Sequence, residues 1–100
     1  MIDLRPDHLA LVKQILVQCV PGCEVRALGS RVRGTAKDHS DLDLALVGAG
    51  PIGPGRVNCL QEVFEESDLP FRVDVLDWRA VSDEFRRQID QQFDLLQAAN

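Results

Sequence analysis

Hydrophobic residues recur every three to four positions from Asp7 to Val20: Leu9, Val12, Leu16 and Cys19, with Ile15 widening the stripe. That spacing predicts an amphipathic helix laid against a core. Pro6 suits its first turn and Pro21-Gly22 ends it. The period then falls to two. Glu24 to Leu28 predicts a short strand with Val25 and Ala27 on one side. Asp41 to Val47 predicts a second, in which Leu42, Leu44 and Leu46 alternate with Asp41, Asp43 and Ala45. Helical spacing returns over Arg56 to Glu66, with Val57, Leu60, Val63 and Phe64 inward. Phe71 to Leu76 predicts the third strand: Phe71, Val73 and Val75 on one face, Arg72, Asp74 and Leu76 on the other. Ser82 suits the N-cap of a closing helix, with Asp83 and Glu84 complementing its dipole. Phe85, Ile89, Phe93 and Leu96 form that helix's stripe.

The intervening segments are polar or broken. Ser30 to Gly34 is long enough for one helical turn, and Gly34 to Ser40 reads as a loop. Gly48 to Gly55, GAGPIGPG, lacks the Gly-Lys-Ser/Thr ending of a phosphate loop, and its two prolines remove N–H donors, so it reads as a connector. The order helix, strand, loop, strand, helix, strand, helix predicts one α/β (α+β) domain over residues 1–100: a small mixed sheet with helices packed on one face. The other face would carry Asp41, Asp43 and Asp74, open to a ligand or a partner.

Composition narrows the classes. At 100 residues and 45% hydrophobic, the chain suits one folded domain with its own core. A net charge of -5 argues against direct nucleic-acid binding, which needs a basic face. Cys19, Cys23 and Cys59 contain no C-x-x-C pair, and no His–Cys cluster completes a zinc site with Cys19 and Cys23, so they read as reduced thiols in a cytoplasmic protein. The N-terminus lacks the basic and apolar regions of a signal peptide. The longest uncharged run, Leu44 to Gly55, is too short and too rich in Gly and Pro to span a membrane.

The chemistry concentrates in LGSRVRGTAKDHSDLDLALV, residues 28–47. In a strand, Asp41 and Asp43 project to the same side, and like charges that close need a cation or a shared proton between them. Oxygen-only ligands suit Mg²⁺, which takes one or two carboxylates plus substrate phosphates. Gly29-Ser30 offers a tight turn where backbone N–H groups approach a phosphate, and Arg31, Arg33 and Lys37 add positive charge. Arg31 and Arg33 read equally well as phosphate contacts or as solvated surface. If the third strand neighbours the second, Asp74 joins the pair, either as a further metal ligand or as general base. Asp77 has the opposite parity and reads as surface or strand end. His39 reads as a loop residue, and Trp78 as the cap of a core edge.

Gly29-Ser30, ten residues, then Asp41-x-Asp43 resembles the signature of the polymerase-β-like nucleotidyltransferase superfamily. The stretch GSRVRGTAKDHSDLDLALV is similar to the minimal nucleotidyltransferases, the MNT-domain proteins, and the likeness runs through nearly the whole chain. The resemblance implies that Gly29 and Ser30 contact nucleotide phosphates, that Asp41 and Asp43 bind Mg²⁺, and that Asp74 is the third acid. It implies ATP as donor and a HEPN-domain toxin as partner, in a hetero-oligomeric toxin–antitoxin system. AMP would pass to a tyrosine of the toxin and silence its RNase. Two other readings stay open: an antitoxin that neutralises by contact alone, and a transferase acting on a small molecule.

Overall fold

The structure, a computed structural model, describes residues 4–29, 41–48, 50 and 52–99. Helix α1 (Pro6–Cys19) starts with Pro6 in its first turn and turns Val12, Ile15 and Leu16 into the core. Val20 follows it, buried, and Gly22 takes a φ of 77° to bring the chain back as β1 (Glu24–Leu28). Next come β2 (Leu42–Val47), α2 (Pro54–Glu66) and β3 (Val73–Asp77). A 3-10 turn over Trp78–Ala80 leads to α3 (Asp83–Gln91) and β4 (Asp94–Gln97). Ser82 caps α3 as expected, its hydroxyl accepting the Phe85 N–H at 3.2 Å.

The sheet order is β3-β2-β1-β4. β1 pairs antiparallel with β2 and with β4, while β2 and β3 run parallel, so the sheet is mixed. α1 and α2 cover one face, as expected. There Val25 and Ala27 of β1, Leu42, Leu44 and Leu46 of β2, and Val73 of β3 meet Val12, Leu16, Leu60 and Phe64. Leu42, Leu44, Leu46, Leu60 and Leu16 are fully buried.

Three details differ from the sequence reading. The closing helix ends at Gln91, so Phe93 and Leu96 are not on it. Residues 94–97 instead pair with the free edge of β1, placing Leu96 in the main core. Gln97 fastens this end, its Nε2 donating to the carbonyls of Val20 at 2.7 Å and Cys23 at 2.8 Å. Satisfying that edge outweighs the helix preference of Gln and Leu.

Second, α3 crosses to the opposite face. Ile89 packs on Leu28 and Ala45, with Leu76, Trp78 and Val81 around them. Arg26 ties the helix down: it is only 18% exposed and reaches Glu24 and Asp90, both at 2.5 Å. Its guanidinium lies 4.4 Å from the Phe93 ring centroid and 5.8 Å from that of Trp78. The acid-bearing face is therefore partly roofed, and Trp78 caps the edge of this small core.

Third, Asp77 is the strand end of β3, one of its two readings, but it is buried and not at the surface. Its carboxylate accepts the Ile52 N–H at 2.9 Å and the Arg79 N–H at 3.1 Å, which satisfies it where the strand turns into the 3-10 helix. Among the described residues, no helix is long and apolar enough to cross a membrane.

Candidate active site

β2 and β3 are in register with Asp43 opposite Asp74. Neighbouring residues of a parallel pair point to the same side, so the two carboxylates project together from the face opposite the leucine core. Asp43 also pairs with Leu28, the last residue of β1, and so stands beside Gly29. Gly29 is held there by two constraints. Its φ is 87°, a conformation that L side chains rarely adopt, and an added Cβ would stand 2.6 Å from Asp43 Oδ2. The close approach of backbone to carboxylate needs a residue without a side chain.

Asp41 is exposed and stands one residue ahead of β2, whose ladder to β3 opens with the Leu42 N–H donating to the Arg72 carbonyl at 2.9 Å. The Asp74 carboxylate accepts from Arg72 Nε at 2.9 Å; both side chains are well exposed, at 41% and 70%. Among the described residues, no three acidic, histidine or cysteine side chains are gathered tightly enough to cage an ion. Three carboxylates repel one another, and Asp74 takes Arg72 as counter-charge. Two adjacent in-register carboxylates, beside a glycine that leaves its backbone open, nevertheless fit a hard divalent cation carrying phosphate oxygens. Ser30, Arg31 and Arg33 lie outside the described residues, as do Lys37, His39 and the expected turn and loop of residues 30–40.

A cleft of about 370 Å³ opens beside Gly29 and Asp43. Leu28, Gly29 and Asp43 line its strand side; Phe85, Gln88 and Gln92 line its helix side. Phe85 and Gln88 lie three residues apart on α3, and Gln92 is the extended residue that follows its last turn. Sequence reading placed Phe85 in the core stripe; it is 40% exposed, a ring wall for the cleft. The signal was present in the polar Gln88 three residues on from Phe85, while Ile89 alone of this helix is buried. Arg72 was likewise legible, two residues from Asp74 on the same strand face.

Comparisons with known proteins bear on the family and the fold. A family model described as "Polymerase beta, Nucleotidyltransferase" matches residues 25–100. The chain is 47% identical over 96 residues to a protein of Haemophilus influenzae named "Probable protein adenylyltransferase MntA", covering 96% of this chain and 84% of that one. Among solved structures it resembles a chain of one described as a toxin-antitoxin with AMP-PNP, at TM-score 0.75 and 23% identity, covering 96% of this chain and 76% of that one. It also resembles a chain of tri-AMPylated Shewanella oneidensis HEPN toxin in complex with MNT antitoxin, at TM-score 0.67 and 21% identity, covering 91% and 73%. At these identities the structural likenesses establish the fold.

Proposed function

The chain belongs to the polymerase beta nucleotidyltransferase family, and from that premise we propose that it transfers AMP from ATP to a tyrosine of a HEPN-domain toxin, acting as its antitoxin. The observation that carries this reading is the register of Asp43 with Asp74 beside Gly29. The 47% identity to a protein adenylyltransferase and the complexes of similar chains with HEPN toxin support the acceptor. An acidic chain, at a net charge of -5, also suits a basic RNA-cutting partner.

Asp41, Asp43 and Asp74 would hold Mg²⁺, which when bound screens the triphosphate and acidifies an attacking hydroxyl. The protein's own groups do the rest. The open backbone at Gly29, with Ser30, receives the leaving phosphates, and Arg31 and Arg33 add counter-charge. The cleft under α3 takes the nucleoside, with Phe85 as a stacking surface and Gln88 and Gln92 as amide donors and acceptors. The acceptor oxygen attacks the α-phosphorus in line. A new O–P bond forms, the bridge to the β-phosphate breaks, pyrophosphate departs, and the hydroxyl proton passes to solvent. The whole of residues 1–100 works as one minimal domain, and its three free thiols fit a cytoplasmic setting.

The test is the intact mass of a HEPN-domain partner after incubation with ATP, Mg²⁺ and the chain. Added AMP with wild type, and none with Asp41→Asn, is the expected result. A partner that is bound and neutralised but gains no mass would favour neutralisation by contact; AMP found only on small acceptors would move the function to small-molecule transfer.

A further inference from the structure

We infer that Gln61 of α2 is a positioning residue for Asp74. Among the described residues β3 is an edge strand, flanked within the sheet by β2 alone. On that inner side the backbone is held by the ladder that the Leu42 N–H and the Arg72 carbonyl open. On the outer side the Gln61 side chain stands where a neighbouring strand's peptide would be. Its Nε2 donates to the Val73 carbonyl, and its Oε1 accepts the Val75 N–H at 3.0 Å. These two groups bracket Asp74. One amide thus closes a ring around the residue, whose own backbone faces β2 while its flanking peptides are clamped from α2.

The chemistry singles out glutamine. The clamp needs one donor and one acceptor side by side on a side chain long enough to span from helix to strand edge. Glutamate keeps the acceptor and sets a second anionic oxygen against the Val73 carbonyl. Methionine keeps the length and removes both hydrogen bonds. The clamp matters for the site because the ion pair on the Asp74 side chain is solvent-exposed: Arg72 is 70% exposed and Asp74 itself 41%. A strand edge free to twist about residues 73–75 would swing that carboxylate relative to Asp43, and metal sites depend on such outer hydrogen bonds for geometry.

This inference rests on the metal-binding reading of Asp74, and the test separates the two. Mn²⁺ binding by electron paramagnetic resonance, amide hydrogen exchange at Val75, and kcat and KM for ATP are measured on wild type, Asp74→Asn, Gln61→Met and Gln61→Glu. The expected result for Gln61→Met is Mn²⁺ affinity weakened about tenfold and a similar fall in kcat, with KM for ATP within about twofold of wild type and faster exchange at Val75. Gln61→Glu, which keeps the bond from Val75, falls between wild type and Gln61→Met, and it carries the test if Gln61→Met does not fold. Wild-type Mn²⁺ affinity and kcat in both folded variants would overturn the clamp and leave the function standing. Mn²⁺ affinity in wild type that Asp74→Asn leaves unchanged would overturn the role of Asp74 itself, and the clamp with it.

Discussion

On β2, Leu42, Leu44 and Leu46 are fully buried, whereas Asp43 between them is half-buried and faces Asp74. The same backbone thus presents two surfaces of different composition. Under α1 and α2 lies a continuous apolar layer fed by every strand. Under α3 lies a small cluster centred on Leu28, Ala45 and Ile89, with carboxylates at one end and the Arg26 network at the other. Burial on the first face stabilises the sheet. That leaves the second face able to carry like charges at close range, which favours no fold by itself. The period of two along a strand keeps the two tasks on alternate residues, so substitutions should separate them.

The largest effect on stability belongs to the first face. Leu60→Ala removes a fully buried side chain and should cost about 2–5 kcal/mol, read by denaturant unfolding. Transfer per folded molecule should stay near wild type. Gly29→Ala should act at the boundary between the faces. Its φ of 87° and the 2.6 Å approach of Asp43 Oδ2 to an added Cβ imply a loss of about 1–3 kcal/mol, together with a fall in transfer larger than that instability explains. A transfer rate unchanged by Gly29→Ala would break the link between this turn and the acids.

A smaller effect should appear at high pH, on the first face alone. Burial, only partly offset by a hydrogen bond with the Val47 backbone, pushes the Cys23 thiol above its ordinary 9.0. Burial also raises Cys19, with the nearby Cys59 thiol adding to the shift. A thiol pKa raised in the folded state stabilises fully below the ordinary value, and that contribution is lost as pH rises through the folded value. Stability should therefore fall above about pH 9, and Cys23→Ala should flatten that limb. The pH profile of transfer per folded molecule should not follow it.

Much of this was legible because the two periods are so clean. Leu42, Leu44 and Leu46 alternating with acids gave β2, its buried side and the side of Asp43 together. Gly29-Ser30, ten residues, then Asp41-x-Asp43 pointed to the family before any coordinate did. Three features were hidden for physical reasons. In Asp94–Gln97 the residues Leu95, Leu96 and Gln97 are good helix formers with no glycine or proline just before them, and the free edge of β1 makes the segment a strand. The pairing of Asp43 with Asp74 depends on β2 and β3 being neighbours in parallel, which no local pattern encodes. Gln61 reads as an ordinary exposed helix position until that neighbour arrangement leaves the outer edge of β3 in need of a partner.

The most direct test of the division between faces uses two adjacent residues of one strand, Asp43→Asn and Leu44→Ala. Each is purified, its unfolding free energy is measured, and labelled AMP transfer to the HEPN-domain partner is followed on the same preparation. The account predicts a crossed result. Asp43→Asn keeps wild-type stability and loses transfer by at least about 10²-fold; Leu44→Ala loses about 2–5 kcal/mol and keeps transfer per folded molecule. Parallel losses in both variants, or transfer surviving in Asp43→Asn, would contradict it.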